Sequence, residues 1–550
     1  MSRIFTRLFH FLNVLLLSNA LLSNTLPGAE PESYPLSDDL QTLANDLEDQ
    51  GYQEIVANMI RNDLEEEWKR VATSDNYVRF RDQHGGADKI NEDPALIAAY
   101  EQRKQIADRY LKMMDDAYAA LNKPTQVLRG KELEQFLAEP PALANGGAVE
   151  TKLEVKPYLV VAESELGHVW PQFRGPTGQG EVLRNQIPLK WDTSEHVLWK
   201  QQVGGTGHSS PIIWNDQLFL TRASEDGLTR ELNCFDAHSG KELWSRKVPE
   251  PESTEKLYWK NSYASSTPVT DGERVVVFLG NSGLTSFTMQ GEQEWHQPFK
   301  PFEIMHGPAT SPIIYQDLVI LVQDQNKGDS LFVAFNKRTG EEVWRQPREQ
   351  NPGWASPTLF EVNRKVELAY NGSHIVRGYD PLTGKELWQV AGTSREAVPN
   401  LIAGPDALYS VSGRNGPILA LRPGGKGDVT ESHLLWKNKR GGPHVPSPAY
   451  HNGRLYIATD TGILRCLDAA TGKSIWQERL SGKFSASPLV YGDLLYFTNE
   501  MGKTYIIQAG DHYDLVQMND LAEYMLASPA VAHNRLYFRT QTTLYCIGDK

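Results

Sequence analysis

A nine-residue phrase that occurs four times constrains the fold of this chain most strongly. Each copy opens with Asp or Asn, has Gly at its fifth position and ends in Trp. The copies span residues 236–244, 336–344, 380–388 and 468–476. The short polar side chain favours a turn, and glycine tolerates the positive φ with which a tight loop rejoins a strand. The phrase therefore predicts a repeat architecture in which each copy contributes one turn and one strand.

A proline that opens a short strand, mostly after Ser or Thr, is the second repeated signal. Its positions are Pro211, Pro268, Pro312, Pro357, Pro399, Pro448, Pro488 and Pro529. Most of the intervals are about 40–45 residues, the length of one four-stranded propeller blade. In the fifth unit the opener is the variant pair Val398-Pro399. Eight openers predict eight blades.

The last repeat ends before it reaches a Trp strand, whereas an unassigned strand around 197–203 precedes the first opener. This strand is predicted to complete the last blade, because N-to-C closure removes an exposed sheet edge. The predicted fold is mainly β: an eight-bladed β-propeller of four-stranded antiparallel blades over 190–550. A small α-helical domain is predicted over 30–137 from apolar residues at helical spacing, and 138–189 is predicted to be a linker and lead-in segment.

The N-terminus has the pattern of an export signal. Arg3 and Arg7 precede an apolar stretch over 8–22. This stretch is short and interrupted, so it predicts a signal peptide over 1–29, with an uncleaved anchor as the alternative. We therefore expect a periplasmic or secreted protein with no transmembrane anchor after signal removal.

Charge and cysteine content exclude several functions. The formal net charge is −14 and no basic patch stands out, so a nucleic-acid partner is not expected. The three cysteines, Cys234, Cys466 and Cys546, occupy equivalent places in different repeats. They are therefore expected to be buried strand residues, unpaired with one another. Cys234 and His238 alone do not make a metal site.

The phrases at 236–244, 380–388 and 468–476 resemble the motif of the pyrroloquinoline-quinone (PQQ)-like β-propeller family. The resemblance implies one of two functions. One is that of the quinoprotein dehydrogenases, which hold PQQ and Ca²⁺ over the central axis. The other is that of a protein-binding scaffold of the outer-membrane β-barrel assembly machinery. The chain has neither the adjacent cysteine pair of the alcohol-oxidising members nor the Cys-x-x-Cys-His motif of a c-type haem domain. The scaffold is therefore favoured, and no Ca²⁺ ligand is assigned.

The tryptophans of the repeats are predicted to pack between neighbouring blades and away from any ligand. They are Trp199, Trp244, Trp295, Trp344, Trp388, Trp436 and Trp476. One large ring per unit is what packing between blades requires. Chemistry is expected instead at the other end of each blade, among residues that do not repeat.

Residues just before each opener are predicted to ring the mouth of the central channel. They are His208, Tyr263, His306, Trp354, Glu396, His444, Phe484 and Tyr524. This polar and aromatic set suits a planar or sugar-like ligand, or, through its three histidines, a metal. Alternatively, these side chains plug the channel. Acidic turn residues such as Asp324, Asp460 and Glu500 are an alternative Ca²⁺ set.

Three functional hypotheses follow from the sequence. The favoured one is a non-catalytic binding or scaffold protein of the cell envelope with a protein or cell-envelope partner. The second is a quinoprotein-type, PQQ- or metal-dependent oxidoreductase. The third is a glycan-binding or carbohydrate-active protein.

Overall fold

The computed structural model describes residues 153–348 and 351–549, which form eight sheets arranged as the blades of a propeller; all strand pairs but one, β19 with β23, are antiparallel. The predicted signal peptide and helical region lie outside the described residues. None of the helices in the described ranges has the length and apolar character needed to cross a membrane.

Three strands precede the first blade. They are β1 (Val155–Pro157), β2 (Val169–Trp170) and β3 (Val197–Gln202). From the channel outward, blade 1 consists of β4 (Ile212–Trp214), β5 (Gln217–Ala223), β6 (Arg230–Asp236) and β7 (Glu242–Lys247), and blade 2 of β8 (Val269–Thr270), β9 (Arg274–Phe278), β10 (Leu284–Thr288) and β11 (Gln293–Gln297). In the same order, blade 3 consists of β12 (Ile313–Tyr315), β13 (Leu318–Gln323), β14 (Leu331–Asn336) and β15 (Glu342–Arg345), and blade 4 of β16 (Thr358–Val362), β17 (Lys365–Asn371), β18 (Ile375–Tyr379) and β19 (Glu386–Ala391).

Blades 5 to 8 complete the ring. In chain order, the blade 5 segment contains β20 (Ile402–Ala403), β21 (Leu408–Val411), β22 (Gly416–Leu421), the short β23 (Gly427–Asp428) and β24 (Leu434–Gly442). Blade 6 consists of β25 (Ala449–His451), β26 (Arg454–Ala458), β27 (Ile463–Asp468) and β28 (Ser474–Arg479), and blade 7 of β29 (Leu489–Tyr491), β30 (Leu494–Thr498), β31 (Lys503–Gln508) and β32 (Leu515–Asp520). Blade 8 contains β33 (Ala530–Ala532), β34 (Arg535–Arg539) and β35 (Thr543–Ile547). One helical turn, α1 (Thr430–His433), precedes β24, and two short 3-10 turns span Glu163–Glu165 and Gly280–Ser282.

The ring closes as the sequence predicts. Strand β3 is the outermost strand of blade 8, where it pairs antiparallel with β35 and places Trp199 opposite Cys546. The backbone N–H of Val203 extends this pairing by donating to the carbonyl of Thr542 at 2.7 Å. The first and last parts of the propeller therefore share one sheet, which leaves no open blade at the seam.

The repeated phrase forms a turn that receives the tryptophan of the preceding blade. Asp236 Oδ1 accepts hydrogen bonds from the backbone N–H and the hydroxyl of Ser239, both at 2.7 Å, and these bonds hold the pKa of Asp236 below its ordinary value. Gly240 has φ +74° and faces the ring of Trp199, whose Nε1 donates to the carbonyl of Ala237 at 3.2 Å. The same ring-to-glycine contact joins Trp244 to Gly291, Trp295 to Gly340, Trp344 to Gly384 and Trp436 to Gly472.

Two tryptophans have other partners. Trp476 Nε1 donates to the carbonyl of Gly510 at 3.0 Å. Trp388 is fully buried and its Nε1 donates to Glu367, within its own blade, at 2.8 Å. The lengthened phrase of blade 5 accounts for the difference, because it contributes β23, which pairs parallel with β19 on the outer edge of blade 4.

A closed ring of eight hydrogen bonds surrounds the channel at the level of the openers. At each step a backbone N–H donates to the side-chain oxygen of the equivalent residue in the next blade, over 2.9–3.1 Å. The members are Ser210, Thr267, Ser311, Ser356, Asn400, Ser447, Ser487 and Ser528. The opener of blade 5 is therefore Asn400-Leu401. The predicted opener, Val398-Pro399, was wrong by two residues.

The lead-in segment covers the end of the channel at which the innermost strands finish. Strand β1 pairs with the last residues of β16, and β2 pairs with the last residues of β4. Arg174, which is fully buried, donates to the carbonyl of Pro448 at 3.0 Å, and burial lowers its pKa to about 9. The lead-in thus joins non-adjacent blades and leaves the opposite end of the channel as the accessible one.

Candidate binding site at the mouth of the channel

A cavity of about 810 Å³ lies at the end of the channel where the openers begin. Each blade contributes to this cavity the residue that lies three positions before its opening proline. In blade 5, Leu401 occupies the place of that proline, so the position is counted from Leu401. These residues are His208, Ser265, Ala309, Trp354, Val398, Val445, Ser485 and Leu526. One repeated backbone position therefore builds the wall of the cavity, and the blades differ there only in side chain.

Four of the eight predicted mouth residues line this cavity: His208, His306, Trp354 and His444. Glu396 lies beside it, with Oε2 3.0 Å from His444 Nε2. The remaining three lie elsewhere. Tyr263 faces the guanidinium of Arg230 at 4.8 Å, Phe484 is buried against Tyr505, and Tyr524 is half-buried with a pKa raised by burial to about 12. Whether the four lining residues bind a ligand stays a prediction.

The missed residues carried a signal in the sequence. Ser265, Ala309, Val445, Ser485 and Leu526 each precede a proline opener by three positions, as His208 and Trp354 do. The prediction in the sequence analysis favours aromatic and ionisable residues, which precede the openers by three to six positions. A constant offset would have identified every member except Val398, whose blade lacks an aligned proline.

A long loop between β7 and β8, here called the mouth loop (residues 248–268), partly covers the cavity. Tyr258, Trp259, Lys260 and Asn261 from this loop line the cavity. Asn261 Nδ2 donates to the carbonyl of His306 at 2.7 Å. Across the mouth, Lys260 Nζ donates to both carboxylate oxygens of Glu500 in blade 7, at 2.6 and 2.8 Å. The mouth loop is therefore fixed at both sides of the channel.

Trp259 stands at the apex of the mouth loop with 72% of its surface exposed. Its ring lies 5.6 Å from that of Tyr258, and Lys260 Nζ lies 5.4 Å from its centre. By contrast Trp354 is buried, stacks on His306 and donates from Nε1 to the carbonyl of Gly307 at 2.9 Å. Trp354 is thus part of the wall, and Trp259 is the aromatic ring available to a partner.

The cavity combines buried imidazoles with a cationic rim. Burial lowers the pKa values of His208, His306 and His444, that of His208 to about 4, and thereby favours the uncharged form of each ring. The cationic lining residues are Lys260, Arg414, Arg465 and Lys483, against Asp460 as the lining carboxylate. Glu500 pairs with Lys260 and Glu396 lies 3.8 Å from Arg414, so the rim keeps only a small excess of positive charge, against the net charge of −14 of the whole chain.

The residues at the mouth do not fit Ca²⁺ with PQQ. Ca²⁺ needs six to eight oxygen ligands, several of them carboxylates. Here Asp460 accepts from the backbone N–H groups of His444 and Val445, and Glu500 is held by Lys260. The turn residue Asp324 is likewise paired with Arg348 at 2.6 Å.

Metal ligation by the three mouth histidines is not supported either. Among the described residues, the group of three ligating side chains within metal-binding reach is Asp216, His238 and His533, outside this cavity. The three cysteines are buried within blades.

Over the described residues, the fold and the mouth define an eight-bladed β-propeller whose channel is covered at one end and has an accessible cavity at the other. A family model described as "Outer membrane protein assembly factor BamB" matches residues 189–300, 230–401 and 373–518, which together span more than half of the 550-residue chain. The chain belongs to this family of PQQ-like β-propellers.

Individual relatives agree with this assignment. The chain is 20% identical over 382 residues to the outer membrane protein assembly factor BamB of Burkholderia pseudomallei, an alignment that covers 65% of this chain and 90% of the relative. It is 22% identical over 378 residues to the BamB of Yersinia pestis, covering 63% and 87%. Among solved structures, a europium-containing methanol dehydrogenase superposes with a TM-score of 0.53 at 11% identity, covering 70% of this chain and 98% of that one. This last similarity concerns the fold alone.

Proposed function

We propose that the protein is a non-catalytic binding and scaffold protein of the bacterial cell envelope, and that it docks a protein partner at the mouth of its channel. The proposal rests on Trp259, a residue that is 72% exposed at the apex of the mouth loop. Residues of the loop on both sides of Trp259 are anchored to the propeller. Exposed aromatic side chains over a pocket are the usual energetic centres of protein interfaces.

The anchoring of the mouth loop supports a preformed docking surface. Glu255 and Lys260 flank the apex, and each is held by an ion pair, to Arg230 and to Glu500. A loop that is already ordered loses less conformational entropy on binding, so more of the contact energy appears as affinity. The cationic rim favours a partner segment that carries acidic residues.

The names of the relatives support the envelope setting and the kind of partner. Proteins of Burkholderia pseudomallei and Yersinia pestis that align with this chain are outer membrane protein assembly factors. We infer a periplasmic or secreted location and a partner in outer-membrane protein assembly. An N-terminal signal peptide, which the sequence predicts, would deliver the chain there.

Two alternatives predict different ligands at the same mouth. The pair Tyr258 and Trp259 is also a surface on which a sugar ring stacks, so a glycan ligand is the second candidate. A quinoprotein oxidoreductase is the third. It rests on the resemblance of the repeated phrase to the PQQ-like family, whereas the paired carboxylates at the mouth argue against it.

Site-specific photo-crosslinking in the producing cells tests the proposal. A crosslinking amino acid at Met305, which is 45% exposed beside His306, should capture an envelope protein. Trp259→Ala should reduce the yield at least about 10-fold, while Trp259→Phe should retain most of it. The matched control places the crosslinker at Leu382, which is 47% exposed on a turn at the opposite end of blade 4.

Four outcomes contradict the proposal. Equal capture from positions 305 and 382, or capture that is unaffected by Trp259→Ala, removes the mouth as the docking site. Binding to a glycan array that is lost in Trp259→Ala supports the second candidate instead. Stoichiometric uptake of PQQ with Ca²⁺, together with dye reduction by an alcohol, supports the third.

A further inference from the structure

A cluster of three histidines and one aspartate lies at the end of the propeller opposite the mouth. Asp216 is in the turn between β4 and β5, His238 in the turn between β6 and β7, and His533 in the turn between β33 and β34. One ligand atom from each of these three lies within 4.8 Å of the other two. His168, directly before β2, lies beside this group: its Nδ1 is 3.4 Å from His533 Nδ1, and the side chain must shift toward Asp216 and His238 to serve as a fourth ligand. We propose that this cluster binds one Zn²⁺-class transition-metal ion at the seam between blades 8 and 1.

The ligand types and their separations fit such an ion. Imidazole and carboxylate are the ligands that Zn²⁺ takes in tetrahedral sites, with Zn–N bonds of about 2.0–2.1 Å. Two nitrogens bound to one tetrahedral ion are therefore roughly 3.4 Å apart. The Nδ1 atoms of His168 and His533 are 3.4 Å apart. His238 Nε2 and Asp216 Oδ1 lie 2.8 Å apart, so they need to separate only slightly to admit the ion.

His533 is oriented as a metal ligand. Its Nε2 lies 2.8 Å from the carbonyl oxygen of Asn215, which can only accept a hydrogen bond. Nε2 therefore carries the proton, and the lone pair of Nδ1 faces His168. A histidine that ligates a metal through one nitrogen usually donates from the other to a carbonyl or carboxylate in this way.

The backbone holds the contributing segments in place. His533 donates its backbone N–H to the carbonyl of Gly167 at 2.7 Å, and Asn215 donates to the carbonyl of His168 at 3.1 Å. The lead-in, the first blade and the last blade are thus joined around the cluster before any ion binds. Such preorganisation lowers the cost of assembling a metal site. A bound ion would reinforce the seam at which the ring closes.

Arg535 is the group that opposes binding. Its Nη1 donates to His238 Nδ1 at 3.0 Å, so in the metal-free protein Nε2 of His238 carries the proton and donates to Asp216. Binding through Nε2 transfers this proton to Nδ1 through solvent, and Arg535 must withdraw. No proton is lost from a neutral His238 in this exchange. A glutamine at position 535 would instead offer an oxygen that accepts from Nδ1–H.

Metal titration of the full-length, metal-stripped protein tests the site. Isothermal titration calorimetry with Zn²⁺ should detect one site per chain, and His533→Gln should weaken it at least about 10-fold. Ca²⁺ should not bind there, because it prefers oxygen ligands. Co²⁺ in place of Zn²⁺ should give the intense visible absorption of four-coordinate geometry. Zn²⁺ should raise the melting temperature of the wild-type protein and not that of His533→Gln.

Two further variants sharpen the test. His451→Gln is the control. His451 pairs with Asp493 at 2.7 Å and belongs to no cluster of three ligands among the described residues. The affinity for Zn²⁺ should therefore not change in this variant. Arg535→Gln should bind Zn²⁺ several-fold more tightly than wild type. Equal melting temperatures of wild type and His533→Gln in EDTA show that the variant is folded. Unchanged affinity in His533→Gln, or a weak six-coordinate Co²⁺ spectrum, would overturn the proposal.

Discussion

The backbone N–H of Ser528 donates to the hydroxyl oxygen of Ser210 at 3.1 Å, and this contact joins the last blade to the first. It completes the ring of eight hydrogen bonds around the channel, in which each blade both donates and accepts. Because these groups are buried at the channel wall, each backbone N–H depends on its neighbour for a partner.

Removing one acceptor from this ring should destabilise the propeller. Ser210→Ala leaves the backbone N–H of Ser528 without a partner, at an expected cost of about 1–3 kcal/mol in unfolding free energy. Ser210→Thr should cost less, because Thr267 fills the same role in blade 2. Urea unfolding of the two variants checks the prediction, and equal loss in both would show that bulk at this position matters more than the hydrogen bond.

The glycine of the repeated phrase should be sensitive because of the tryptophan beside it. Gly472 has φ +70°, and a Cβ there would lie 2.6 Å from the ring of Trp436. Gly453 has φ +74° with nothing within 4 Å of its Cβ position. We expect Gly453→Ala to cost about 1 kcal/mol, from backbone strain alone, and Gly472→Ala at least about 2 kcal/mol. Thermal unfolding separates the two; equal shifts would remove the packing explanation.

The buried ion pair under the mouth loop should matter more than an exposed pair of the same kind. Arg230 donates to both carboxylate oxygens of Glu255, at 2.9 and 2.7 Å, and the two side chains are 0% and 2% exposed. Glu255→Ala leaves a buried guanidinium without its partner, and we expect a loss of about 3–5 kcal/mol.

The control for Glu255 is Glu342→Ala. Glu342 pairs with Arg345 at 2.6 Å, but both side chains are more than 40% exposed, so we expect less than about 1 kcal/mol. Denaturant unfolding measures both variants. Similar small losses would mean that the mouth loop does not depend on its buried anchor.

The neutral state of His208 should make stability depend on pH. Burial, and then Arg539, lowers the pKa of His208 to about 4, from an ordinary value of 6.5. Between these values the unfolded chain binds a proton that the folded chain does not, so the unfolding free energy should fall as the pH is lowered from 6.5 to 4. The expected loss is on the order of 2–3 kcal/mol.

His208→Gln should flatten this part of the stability profile, whereas the same change at the exposed His512 should leave it unaltered. Chemical denaturation at several pH values between 4 and 7 measures both slopes. An identical slope in wild type and His208→Gln would show that another group is responsible.

The sequence predicted the blades better than it predicted the mouth. The eight blades and the closing strand follow from turn chemistry and from the interval between openers, which depend on residues close together in the chain. Which residues reach the mouth depends on the register of each blade. The sequence prediction included Tyr263 and Phe484, whose side chains pack away from the cavity. The opener of blade 5 was placed at Val398-Pro399 and not at Asn400-Leu401, because Asn400 replaces the usual Ser or Thr as the hydrogen-bonding residue.

What the sequence alone determined was the repeat: a turn opened by Asp or Asn, a glycine at positive φ and a tryptophan in the outer strand of seven of the eight blades. These preferences are local, so they can be read from neighbouring residues. Only the tertiary structure revealed that Lys260 reaches Glu500, 240 residues away, and that His168 meets His533, 365 residues away. Contacts of this kind arise because the closed ring sets blade 7 across the mouth from the loop that follows blade 1 and brings the lead-in against the last blade. No local pattern encodes which side chains will then meet.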